Sequence, residues 1–226
     1  KKYQNATFDQ KIYGVSFRLR YRLAEYLFQS LSYTLRQDNV ENIDQNASRI
    51  IKEQAGRSNT SMVSQDIVYD RRDSIIDPTD GYMVGFGNDI AGLGGNVRYF
   101  KTRVYGTYYY PIADDVVFSL SARTGVMFGI GQKVRVVDRY TLGGDSLRGF
   151  ELSGIGPRDI NGRDPLGGLR YYAATAETTF PVGLPNEFGV KAAAFVDAGN
   201  LWHSGDPADQ VVDKSGLRAS IGIGLR

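Results

Sequence analysis

Arg148 lies between Leu147 and Gly149 in Tyr140–Asp159, YTLGGDSLRGFELSGIGPRD. A guanidinium donates two parallel hydrogen bonds to a carboxylate, a geometry that a lysine ammonium cannot copy. The chemistry open to this arginine is charge pairing that pins a backbone in place. The same stretch holds five glycines, one proline and the apolar residues Leu142, Leu147, Phe150, Leu152 and Ile155. Glycines at that density let a chain turn sharply and pass close to other groups. A solvated surface loop has no use for the apolar residues. The stretch therefore reads as a long loop that folds back and docks inside something.

Other residue types with chemical potential point nowhere in particular. The single histidine, His203, sits beside Trp202 in a polar loop, whereas a Ser-His-acid hydrolase needs it on a strand face near a serine. Asp66, Asp70, Asp73, Asp77 and Asp80 lack the regular ligand spacing of a calcium loop. Gly143-Gly144 and Gly92–Gly95 are not followed by the Lys-Ser/Thr of a phosphate loop. No catalysis, metal or cofactor is expected. Lys and Arg total 27 against 25 Asp and Glu, so no nucleic-acid partner is suggested. Cysteine is absent, which excludes disulfides and thiolate metal sites.

The elements that position Arg148 are strands. Glycine (27), tyrosine (15) and phenylalanine (11) are abundant, and no apolar run reaches the ~18–20 residues of a membrane-spanning helix. From Gly14, Val15, Phe17, Leu19, Tyr21 and Leu23 alternate with Ser16, Arg18, Arg20 and Arg22. Period two marks a strand with one apolar and one polar face, and three arginines on that polar face suit a barrel with a polar lumen. Further strands are read at about 26–36, 60–70, 82–90, 97–110, 116–128, 169–181, 187–197 and 217–226, with a short helix within residues 43–56 and the long loop at about 130–168. Residues 1–8 carry no pattern. Asp77–Gly81 and Gly183–Asn186 have turn chemistry, and Gly92–Asn96 reads as a flexible connection. Tyr108–Tyr110 and Tyr171-Tyr172 lie at strand ends, where membrane-interface girdles favour tyrosine. The connections alternate strictly, short, long, short, medium, short, long, short, long, as in outer-membrane barrels with short periplasmic turns and long outer loops. About nine strands then have one end outside and one inside, which cannot be a complete even-stranded barrel. The expected fold is an all-β, transmembrane antiparallel barrel, present as a partial barrel domain over residues 1–226.

Leu147-Arg148-Gly149-Phe150 resembles the loop motif of the BamA-type outer-membrane assembly family, in which an Arg-Gly-aromatic loop folds into the lumen. Tyr140–Ser146, with Gly143 and Gly144, looks like the family's lead-in. Gly154-Ile155-Gly156-Pro157-Arg158-Asp159 resembles the segment that succeeds the motif in bacterial members. Phe195-Val196-Asp197-Ala198-Gly199 looks like the strand motif whose aspartate pairs with the loop arginine, and Glu177 stands where the family has a second acidic partner. Strand parity is compatible: Glu177 shares a face with Thr175 and Thr179, and Asp197 shares one with Lys191 and Phe195. The likeness is strongest over residues 60–226.

The resemblance implies a sixteen-stranded barrel of which these would be the sixth to fourteenth strands, with the POTRA domains absent from this chain. It implies an integral protein of a Gram-negative outer membrane that folds and inserts other outer-membrane proteins without catalysis. The implied partners are outer-membrane lipid, unfolded outer-membrane protein clients and accessory assembly lipoproteins. Within the superfamily, a TamA-like or two-partner-secretion translocation pore is the alternative, and a passive porin is a more distant one. Phe195 shares the lumen face with Asp197, two residues away, and can shield a pair formed there, so Asp197 is expected to be the main acceptor for Arg148, with Glu177 secondary or bridged through water.

Overall fold

The period-two segments fold as strands that pair antiparallel in chain order. The computed structural model describes residues 2–4, 7–161, 164–183 and 190–225. The main sheet comprises β1 (Lys2–Gln4), β2 (Asp9–Ala24), β3 (Leu27–Glu41), β4 (Gly56–Asp70), β5 (Gly81–Gly95), β6 (Tyr99–Ala113), β7 (Val116–Gly129), β9 (Arg170–Pro181), β10 (Lys191–Trp202) and β12 (Arg218–Leu225). A separate two-stranded patch joins β8 (Arg158–Asp159) to β11 (Val211–Val212). Each long strand sends apolar side chains to one exposed face: Phe17 is 68% exposed, Phe86 45%, Phe128 48% and Ile223 85%. An apolar belt this continuous is a lipid-facing surface. The opposite, inner face is polar. On it Arg103 bridges Asp66 at 3.1 Å and Asp89 at 2.9 Å, and the Tyr105 hydroxyl donates to Asp66 at 2.7 Å. The sheet order begins at β1 and ends at β12, and these two are not paired among the described residues.

Several boundaries differ from the sequence expectation. Lys2–Gln4 pairs with β2, although residues 1–8 show no pattern. The strand expected to stop at Ile90 continues to Gly95, with a register shift opposite Thr60–Met62. Gly92, Gly94 and Gly95, all at positive φ, thus extend the ladder through an irregularity instead of forming a connection. That leaves three residues, 96–98, between β5 and β6, while the 71–80 turn on the opposite end is longer. The strict short–long order therefore fails at this pair. The helix is one turn, α1 (Arg49–Lys52), and its start is set by Ser48, whose hydroxyl accepts from Ile51 N–H at 3.2 Å. Gly56, at φ 94°, already begins β4. The strand carrying Asp197 runs on to Trp202. Turn residues 184–186, the expected strand start at Glu187, and Arg226 lie outside the described residues.

The tyrosine runs divide by period two. Tyr108 and Tyr110 are exposed on the outer face, and Tyr172 meets Trp202 edge-on with ring centres 5.7 Å apart. Tyr171 instead turns inward onto Tyr140 at 4.6 Å, so it is no part of a girdle. Buried apolar residues gather at the long-loop end. Ala91, Val97, Tyr99, Met127, Val134 and Leu169 form one cluster against the inner wall. Ile50 and Ile51 of α1 meet Leu166, with Val136 and Val211 packed around them, and form a cap over that end.

Candidate functional site

The long connection between β7 and β9 spans residues 130–169 and folds onto the inner face of the sheet. Its descent is shaped by glycines, most strictly at Gly143. Gly143, at φ 124°, faces the Glu151 carbonyl so closely that a Cβ would lie 2.1 Å from the oxygen. The Gly144 N–H donates to the Phe150 carbonyl at 2.9 Å, and the Ser146 hydroxyl donates to the Gly143 carbonyl at 2.7 Å. The tip, Leu147–Phe150, is thereby a closed turn rather than an extended strap.

Arg148 is held on every side. Its Nε donates to Asp197 Oδ2 at 2.7 Å and its Nη2 to Asp197 Oδ1 at 2.8 Å. Its Nη1 donates to Glu177 Oε2 at 2.6 Å, and its backbone N–H reaches Asp197 Oδ2 at 3.1 Å. The carboxylates, Asp197 foremost, hold the guanidinium pKa above the ordinary arginine value. The guanidinium carbon lies 3.4 Å from the centre of the Phe195 ring, a cation–π contact. That ring in turn lies over Gly222 of β12, where a Cβ would come within 2.5 Å of it. The Arg148 carbonyl accepts from the Ser220 hydroxyl at 2.5 Å, and Arg123 of β7 donates to the Ser146 carbonyl. Four adjacent strands, β7, β9, β10 and β12, therefore grip one loop tip.

The flanking residues fit the wall by shape. Leu147, 1% exposed, sits in the hollow at Gly199 of β10. Leu142, Ile155, Ala173 and Leu201 complete its cluster, with Phe150 against it. Gly149 takes φ 85° beside Ser220, and Gly156, at φ 111°, leaves room for Leu201. Gly154 closes a turn by donating to the Glu151 carbonyl at 2.8 Å. Pro157 is fully buried, and its carbonyl accepts from Leu166 N–H at 2.9 Å. Arg158 and Asp159 form β8, opposite Val212 and Val211. They belong to the cap and stand apart from Arg148's bonds.

Of the acidic residues that might suggest a metal, Asp66 serves Arg103 and Tyr105, and Asp70 holds Arg72 by two bonds at 2.9 and 2.8 Å. Asp73 accepts from the Thr79 hydroxyl and from the N–H groups of Ser74, Thr79 and Asp80. Those bonds, led by Thr79, pull its pKa down to about 2.

Residues that sequence reasoning did not assign also shape the site. Ser220, Gly222 and Arg123 have inward parity, but parity names a face and not a partner. A second, buried group links the loop to other segments: Arg36 pairs with Asp38 and Asp138, and Arg139 pairs with Asp206. Burial pushes the Asp138 carboxyl above the usual range. Asp138 and Arg139 lie in or next to a one-turn 3-10 helix, Val136–Asp138, where no periodicity exists to reveal a partner.

Comparison with known proteins fits this geometry. The Omp85 superfamily domain model matches residues 1–226. The outer membrane protein assembly factor BamA of Neorickettsia risticii is 36% identical over 94% of this chain. The mouse sorting and assembly machinery component 50 homolog is 33% identical over 79% of it. The chain spans 28% and 40% of the length of these two relatives. A crystal structure of BamA from Haemophilus ducreyi lacking POTRA domains 1–3 superposes with a TM-score of 0.81 over 99% of this chain and 50% of that one. At 21% identity, that likeness speaks for the fold. With the domain model matching residues 1–226, the chain belongs to the Omp85 superfamily and is of the BamA type.

Proposed function

We propose that this barrel wall serves an outer-membrane protein assembly factor, which folds and inserts other β-barrel proteins and catalyses no covalent reaction. The observation that carries the proposal is the grip of four strands on the Arg148 tip. Such a bolt holds one segment of wall stiff from within, while the lipid-facing surface stays free to disturb the bilayer. Clients would be unfolded outer-membrane proteins, assisted by accessory lipoproteins. A bacterial, Gram-negative setting is supported by alignment to two bacterial BamA proteins over 94% and 97% of the chain, against 86% and 79% for the fission-yeast and mouse relatives. The test is client insertion into liposomes by the full-length protein that carries this chain. Arg148→Ala should lower the insertion rate, and Arg148→Lys should recover only part of it, since one ammonium cannot form the fork. Wild-type insertion by both variants would remove the support for this role.

A further inference from the structure

The root of the long loop carries a second arginine in a drier setting than the first. The side chains of Arg139 and Asp206 are 1% and 3% exposed. Arg139 Nη1 donates to Asp206 Oδ2 at 2.6 Å and Nη2 to Oδ1 at 3.2 Å. The Nε and Nη2 groups also donate to the Val134 carbonyl, at 3.1 and 2.8 Å, and Nη1 donates to the Leu166 carbonyl at 3.2 Å. All three nitrogens are engaged. The acceptors come from where the loop leaves β7, from where it returns to β9, and from the segment after β10. Removing one member of such a buried pair strands the other charge in a dry site, so the interaction fixes a geometry strongly.

Neighbouring bonds run between the same segments. Leu169 N–H donates to the His203 carbonyl at 2.8 Å, Ile160 N–H to the Gln210 carbonyl at 3.0 Å, and β8 pairs with β11. Arg148 binds β10 in its middle, at Asp197, and Arg139 binds the segment after β10, at Asp206. The loop thus holds the β10–β12 hairpin at two heights, once on the inner wall and once in the cap.

We propose that Arg139 is a positioning residue that closes the long-loop end of the wall. It holds the two roots of the loop and the 203–217 segment as one lid, from which the tip reaches Asp197. Lysine at this position could reach Asp206, but its donors radiate from one nitrogen, whereas Val134, Leu166 and Asp206 are met by three separate nitrogens of the planar fork.

The test uses the full-length protein in proteoliposomes, with two readouts that need no client, so its outcome is separate from that of the insertion experiment. The first is cleavage within residues 203–217 by added protease, and the second is single-channel conductance. Arg139→Gln and Asp206→Asn should each raise cleavage on the order of tenfold and increase open-channel events. Arg139→Lys should fall between these and wild type. Asp206→Asn, nearly isosteric, decides the matter if Arg139→Gln does not fold. Native protection and conductance in the folded variants would overturn the proposal. Equal cleavage of Lys and Gln variants, tracking global stability alone, would also overturn it.

Discussion

Arg148→Ala removes a group whose partners differ sharply in burial. Asp197's side chain is 3% exposed, Glu177's 10% and Arg148's own 34%. Breaking a fully buried pair costs about 3–5 kcal/mol, whereas an exposed pair is worth about 0.2–1 kcal/mol. With a third of the arginine in contact with solvent, the fork and its ring contact should fall between, at about 2–4 kcal/mol for Arg148→Ala. The coupling should divide unequally. Asp197 takes two of the guanidinium bonds and Glu177 one, so the cycle with Asp197→Ala should give about 1–2 kcal/mol and that with Glu177→Ala about half as much. Asp197→Ala alone also releases the Arg148 N–H, so it should cost at least as much as Arg148→Ala. The assay is reversible unfolding of the full-length barrel in detergent, monitored by heat-modifiable mobility or calorimetry. Strict additivity of Arg148→Ala with Asp197→Ala would refute the assignment, since it would mean that the two side chains do not sense each other. A larger coupling to Glu177 than to Asp197 would refute the ranking by number of bonds.

Neighbouring contacts carry expectations of their own. Gly222→Ala should destabilise by about 1–3 kcal/mol through overpacking, because the new methyl meets the Phe195 ring. Phe195→Ala in the same chain should remove most of that added cost, as read by the same unfolding assay. Ser220→Ala deletes one hydrogen bond to the loop tip and should cost about 0.5–1.5 kcal/mol, with faster amide exchange at residues 147–150. Asp73 has a folded pKa of about 2, below its ordinary 3.8. Its contribution is therefore fully present above pH 3.8 and is lost as pH falls through about 2. Amide protection at Thr79 and Asp80 should persist to that lower value, and Asp73→Ala should abolish it at every pH.

Much of the wall was legible because lipid outside and a polar lumen inside impose opposite demands on successive residues. Val15 to Leu23 and Ile221 to Leu225 show that alternation plainly. The same parity turned Glu177 and Asp197 inward, and the motif residues supplied the identity of their partner. Legibility ended where period two ended. Arg139 and Asp206 lie in irregular backbone 67 residues apart, and nothing local distinguishes them from solvated loop charges. Gly92–Gly95 carries a turn-like composition, yet the ladder continues across it, since glycine tolerates an irregular register as readily as a turn. The helix α1 is shorter than its sequence suggests because Asp44, Gln45, Asn46 and Ser48 suit helix and turn alike.

The sequence separations of the loop's bonds have a kinetic consequence. Arg148 reaches Asp197 across 49 residues and Ser220 across 72, while Arg36 reaches Asp138 across 102. None of these contacts can form until the strands that bear the acceptors have been made and placed side by side, so the chain commits the entropy of those large closures before the loop returns any energy. Loop docking should therefore be a late event, with the interactions at Arg148 largely unformed in the folding transition state, which φ-values near zero for Arg148→Ala and Asp197→Ala would show. Weakening them should accelerate unfolding and leave the folding rate nearly unchanged, so the loop acts as a latch on the lifetime of the finished wall and not as a guide to its construction.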